Sequence, residues 1–191
     1  MTINIPDILK KGVTYSVYSE LLFKREVFLM GEVTEETAHS IIAQLSYLDG
    51  VSNEPITLMI NSPGGSVIDG LAIYDMMQYI NSPVYTLCIG EACSMASLIL
   101  TGGEKGFRKA LPNSTVMVHQ ISQDDIGGKL TDIKIQTAEL HRIEMVCNEI
   151  MALHTDHPIK KILRDSKEDF YMSAQQAVTY GLIDAVIARK T

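Results

Sequence analysis

An α/β fold, with helices covering a sheet in a single domain, is predicted by three observations. Short apolar runs suited to buried strands alternate with segments of helical period along the chain. A turn rich in proline and glycine stands between the clearest strand and the helix that follows it. The length of 191 residues, 46% of them hydrophobic, suits one domain with a substantial core.

Residues 16–23 and 35–48 carry apolar positions at helical spacing, and Thr34 can cap the second, with Thr37 where a capping-box Glu would sit. Residues 27–30 make a short strand. The run 56–60 is a strand stopped by Asn61-Ser62-Pro63-Gly64-Gly65. A helix is expected over 67–80, broken by Ser82-Pro83, then a buried strand over 84–89 with Gly90 turning the chain. Residues 94–101 suit a helix ended by Gly102-Gly103, and 115–119 a strand. The longest amphipathic pattern is 131–154, where Ile133, Thr137, Leu140, Ile143, Val146, Ile150 and Leu153 recur at threes and fours. A helix over 173–180 ends at Gly181, before a last strand over 183–187.

The net charge of −7 argues against a nucleic-acid binder, since phosphate backbones need a basic face. No stretch approaches the roughly 18 to 20 apolar residues that cross a bilayer. Residues 1–11 lack the apolar run and cleavage site of a signal peptide. Cys88, Cys93 and Cys147 have no metal-ligand spacing; their odd number and apolar contexts indicate reduced thiols and a cytoplasmic protein. Ten methionines and no tryptophan fit either adaptable core filling or a pliable contact surface.

Three residues have the chemistry for catalysis, and each has an ordinary alternative. Ser94 opens a helix after a buried strand, so it is a helix cap or a nucleophile with backbone N–H groups near an oxyanion. No G-x-S-x-G elbow surrounds it. His119 closes an apolar strand and is a core histidine or a base. Asp169 lies in a charged stretch, Arg164 to Asp169, where a carboxylate is ordinarily surface charge. The other histidines, His39, His141, His154 and His157, form no metal motif. The loop 61–66 lacks the Gly-Lys-Ser/Thr of a phosphate-binding loop and is an oxyanion-type loop or a turn.

The motifs Tyr18-Ser19-x-Leu21-Leu22, Ile60-Asn61-Ser62-Pro63-Gly64-Gly65-Ser66, Gly70-Leu71-Ala72-Ile73-Tyr74-Asp75 and Ala92-Cys93-Ser94-Met95 follow one another in a set order. Leu111-Pro112-Asn113, His119-Gln120, Thr131-Asp132-Ile133, Met172-Ser173-Ala174 and Tyr180-Gly181-Leu182-Ile183-Asp184 continue it. Over nearly its whole length the chain resembles the proteolytic subunits of Clp proteases, the ClpP type of peptidase family S14. The resemblance implies a ClpP/crotonase-like fold with a protruding handle made by the long helix and a strand before it. It implies one peptidase domain over 1–191, with an axial segment at 1–18 and the handle region at 121–154. Ser94 then matches the nucleophile, His119 the general base and Asp169 the orienting carboxylate, and the backbone N–H groups of Gly65 and Met95 match the oxyanion hole. The implied activity is that of a serine endopeptidase that degrades unfolded proteins into short peptides. It acts in a homo-oligomer of two stacked heptameric rings fed by a Clp-type AAA+ ATPase. No metal or organic cofactor is implied; ATP is used by the partner.

Several positions depart from the family pattern. The N-terminal segment is short and lacks the family's Arg-Gly-Glu-Arg. Thr57, Met59 and Lys109 stand where the ATPase-docking pocket usually has aromatic residues, which implies poor docking of a conventional partner or a different one. Lys167 and Glu168 reverse the usual acidic–basic order, so a contact between rings of this chain would meet like charges in a conventional paralogue, unless both are simply solvated. The segment after His119-Gln120 is one residue longer, with Ile121–Gln123 and Asp124-Asp125 coming before Gly127-Gly128. Cys93 replaces an alanine, as packing or as an oxidation-sensitive thiol. Two other functions compete with the active peptidase: a structural or activating ring subunit in a mixed particle with a ClpP paralogue, and an acyl-CoA enzyme of the crotonase type.

Overall fold

The computed structural model describes residues 6–10, 12–123 and 126–187. The axial segment expected at 1–18 is described from residue 6, apart from Lys11, and Asp124-Asp125 of the longer segment lies outside the described residues.

A hairpin of β1 (Asp7–Lys10) and β2 (Val13–Ser16) leads into α1 (Val17–Phe23), which Ser16 caps by accepting from the Ser19 N–H. The core is a seven-stranded sheet. Its parallel part runs β3 (Glu26–Met30), β4 (Ile56–Ser62), β5 (Val84–Cys93), β6 (Arg108–Ala110), β9 (Ala185–Val186) in spatial order. Strand alternation decides which side chains face the helices. Val27, Leu29, Ile56, Leu58 and Ile60 are completely buried, while Phe28, Thr57 and Met59 between them are only half-buried. Helix α2 (Glu35–Val51) packs Ala38, Ile41, Leu45 and Leu48 into this core, and α3 (Val67–Tyr79) adds Ile73, Tyr74 and Met77. Each buried Leu, Ile or Met side chain among them contributes ~1.5–3 kcal/mol on burial. Thr34 and Thr37 form the reciprocal capping box that their spacing suggested.

Strand β5 is longer than its apolar run implies. Gly90 does not end it; the strand continues to Cys93 and changes neighbours on the way. Residues 86–88 pair with β6, whereas 91–93 pair with β7 (Thr115–Val118). A Cβ at position 90 would collide with Asn61 Oδ1, which accepts the Glu91 N–H at 3.0 Å. Glycine is therefore needed here for space. β7 also pairs with β8 (Phe170–Ser173), the antiparallel edge, which is hidden in sequence beside the charged stretch 164–169.

Helix α4 (Met95–Thr101) is buried along its whole length. Helix α5 (Leu130–Thr155) buries only Cys147, Asn148, Met151 and Thr155, all in its second half, and its first half is mostly exposed. This is the helix of the expected handle. The strand expected before it is not formed: among the described residues, 119–123 and 126–129 join no ladder, and an extended segment needs a neighbour to become a strand. Between His157 and β8 lies α6 (Ile159–Asp165), with Pro158 at its N-cap. Helix α7 (Ala174–Tyr180) closes on Gly181.

Candidate active site

Three strand ends and one helix start converge at Ser94. The residue lies between β5 and α4 with φ 55° and ψ −124°, a conformation that a side chain adopts at a cost of ~1–3 kcal/mol. It makes no side-chain cap bond. Its Oγ instead lies 2.7 Å from Nε2 of His119, just past the end of β7. The helix-cap alternative is thereby set aside, and so is the isolated core histidine. The Ser94 N–H donates to the Met117 carbonyl at 2.9 Å, which ties the serine to the strand that carries the imidazole.

Asp169 arrives through the register of β7 with β8. Val118 stands opposite Phe170, so the next positions outward are His119 and Asp169. Asp169 Oδ1 is 3.6 Å from His119 Nδ1, within ionic range and beyond hydrogen-bond length. The carboxylate is 58% exposed, against 25% for the histidine. The imidazole tautomer that accepts at Nε2 carries its proton on Nδ1, facing this carboxylate.

The loop after β4 reaches the serine from the other side. Gly64 has φ 94°, and a Cβ on it would lie 2.8 Å from the Ser94 Cβ and 2.6 Å from the Cys93 oxygen. Gly65 has φ 146°, and its added Cβ would strike the carbonyl of Val33. Ser62 Oγ accepts the Gly64 N–H at 3.1 Å. The N–H of Gly65 donates to no atom among the described residues, and that of Met95 begins a helix and has no acceptor within it. Both expected oxyanion donors border the cavity beside Ser94.

That cavity holds about 280 Å³. Its wall includes Leu98, Met117, Met151 and Ile162, residues whose sequence signal was only apolar periodicity. Asn61, Ser62 and Ser97 were also missed as supporting groups, although the first two belong to the motif that marked the loop. Burial, with Glu91 nearby, pushes the Cys93 thiol up to about 11, and burial raises Cys147 likewise to about 11. Cys93 is 5% exposed, so it packs as a neutral group behind the serine. Lys167 and Glu168 are exposed in the turn between α6 and β8, and neither makes an ion pair among the described residues.

The family model described as Clp protease matches residues 10–190. The chain belongs to the Clp protease family. As a ClpP-type peptidase of family S14, it has the mixed α/β architecture with a mostly parallel sheet that its motifs implied. Among the described residues of this Clp protease, no helix is long and apolar enough to cross a membrane.

Proposed function

We propose that this chain is a serine endopeptidase subunit in which Ser94 attacks the peptide carbonyl, His119 acts as general base and Asp169 orients and steadies the imidazole. The reading is carried by one contact, the 2.7 Å approach of Ser94 Oγ to His119 Nε2. In the first step His119 takes the Ser94 proton as Oγ bonds to the carbonyl carbon. The resulting oxyanion accepts from the N–H groups of Gly65 and Met95. Loss of one such donor typically costs on the order of 10²–10³ in turnover. His119 then returns its proton to the departing amine, and water enters by the reverse sequence to release the acid. The strained backbone of Ser94 holds Oγ in place for both steps.

The substrates would be unfolded proteins, cut to short peptides inside a homo-oligomer of two stacked seven-membered rings. A Clp-type AAA+ ATPase would feed it, with ATP consumed by that partner and no cofactor in this subunit. The three buried, free cysteines suit a reducing compartment, the cytoplasm. Thr57, Met59 and Lys109 favour a partner other than the conventional ATPase.

A second reading has its own observation. Asp169 stands 3.6 Å from Nδ1 and is largely exposed, so the relay is not drawn tight in the single chain. That favours a subunit whose site is completed in the assembly, or one that serves mainly as a structural or activating ring beside a ClpP paralogue. The test is hydrolysis of a short fluorogenic peptide by the purified protein, with a fluorophosphonate to label the nucleophile. Turnover and labelling at Ser94, both lost in Ser94→Ala, are expected. Peptide cleavage undiminished by Ser94→Ala would refute the assignment of the nucleophile. A labelled but slow enzyme accelerated by a paralogue would favour the second reading.

A further inference from the structure

The wall of the cavity beside Ser94 has polar groups that hydrolysis does not require. Ser97 Oγ donates to the Ser94 carbonyl at 2.6 Å, and Ser166 Oγ donates to the Ile162 carbonyl at 2.9 Å. Asn148 Nδ2 donates to the Glu144 carbonyl at 2.8 Å. Both hydroxyls have thus committed their only hydrogen to a backbone oxygen, and the amide of Asn148 is anchored through its nitrogen. Turning that amide over would set Oδ1 against a carbonyl oxygen, so its orientation is decided.

Asn148 is only 7% exposed, and its Oδ1 has no hydrogen-bond partner among the described residues. The single fully occluded and unpartnered side-chain polar atom among them is Thr101 Oγ1. The remaining outlet for Asn148 Oδ1 is therefore the cavity that the residue lines. The buried part of the wall offers hydrogen-bond acceptors set among Leu98, Met117, Met151 and Ile162. Tyr180 does not supply the missing donor, because its hydroxyl donates to Asp165 at 3.1 Å. Gln120 and Ser122 can donate, but both are at the solvent-exposed rim. No Asp, Glu, Lys or Arg lines the cavity.

The geometry points to Asn148 as a specificity-determining residue: the cavity selects, next to the cleaved bond, a neutral side chain with an apolar body and a hydrogen-bond donor at its end. Tyrosine is then favoured over phenylalanine, and glutamine over methionine. A lysine or arginine would lose its hydration with no carboxylate to replace it. Phenylalanine and methionine fill the same space and leave Asn148 Oδ1 without a partner. The inference rests on the peptidase reading, since the cavity matters only if Ser94 is the attacking group.

The test compares fluorogenic peptides that differ only in the residue preceding the cleaved bond, Tyr against Phe and Gln against Met, on the purified full chain. The expected kcat/KM ratio is about fivefold in favour of the donor in each pair, the effect of one neutral hydrogen bond. In Asn148→Leu the ratio is expected to fall to about one. A wild-type ratio at or below one overturns the inference, and so does a preference that persists in Asn148→Leu. The wild-type ratios need no variant, so misfolding of Asn148→Leu leaves the test intact. Matched peptidyl diphenyl phosphonates, scored by labelling of Ser94 in intact-mass spectra, give the same comparison without turnover. Neither turnover nor labelling with any peptide would remove the peptidase reading and this inference together. Reaction that favours Phe and Met removes the inference alone.

Discussion

Ser94 combines a rare backbone conformation with a side chain aimed away from its own helix. If that strain is held for catalysis, relieving it should stabilise the fold. Ser94→Gly is expected to abolish hydrolysis and raise stability by about 1 kcal/mol relative to Ser94→Ala, measured by urea unfolding. The neighbouring Cys93 carries the opposite message. With its thiol pushed up to about 11, about one part in a thousand is thiolate at pH 8, so alkylation by iodoacetamide in the folded protein is expected to be slow. Rapid modification at Cys93 would restore the oxidation-sensitive alternative. Gly65 tolerates no side chain, because its Cβ would meet the Val33 carbonyl. Gly65→Ala is expected to reduce kcat/KM at least a hundredfold through displacement of an oxyanion donor, scored on the fluorogenic peptide.

Between the elements, the connections are fastened by side-chain hydrogen bonds. Arg25, itself at φ 63°, donates to the carbonyls of Leu48, Ser52, Glu54 and Pro55 and to Ser82 Oγ. It pins the end of α2 to the entrance of β4. Arg25→Met is expected to lower unfolding free energy by about 2–3 kcal/mol in urea titrations. The α6–α7 contact depends on Asp165. Burial opposes ionisation of its carboxyl, but hydrogen bonds from Lys161, Arg164 and Tyr180 outweigh that and hold it down at about 2. A carboxyl lowered in the folded state contributes its stability above the unfolded value of 3.8, and the contribution fades as pH falls toward about 2. Asp165→Asn is therefore expected to destabilise the protein at pH 7 by on the order of 2 kcal/mol, with the deficit shrinking below pH 4 in thermal melts.

For the molecule as a whole, α5 is half core and half unaccompanied. Leu130 and Ile135 are each 69% exposed on its first half. Such apolar positions suit contact with another subunit, and replacing both by serine is expected to reduce the assembly size seen in sedimentation. The order of helices and strands, the loop at Gly64-Gly65 and the long helix were legible in the chain, because burial imprints a period and sharp turns need particular residues. So were Ser94, His119 and Asp169, but as members of a motif set; their local contexts favoured a cap, a core residue and a surface charge. The strand β8 was not legible, since an edge strand of four residues beside a charged turn has too short a pattern to register. Yet it is β8 that brings Asp169 to His119. The continuation of β5 past Gly90 was hidden for a related reason: its pairing changes partner, and pairing is non-local. Local sequence thus specified which elements form, through periodicity and turn chemistry acting over a few residues. The meeting of hydroxyl, imidazole and carboxylate required three-dimensional packing, because strand register joins residues 25 and 50 positions apart that share no local signal.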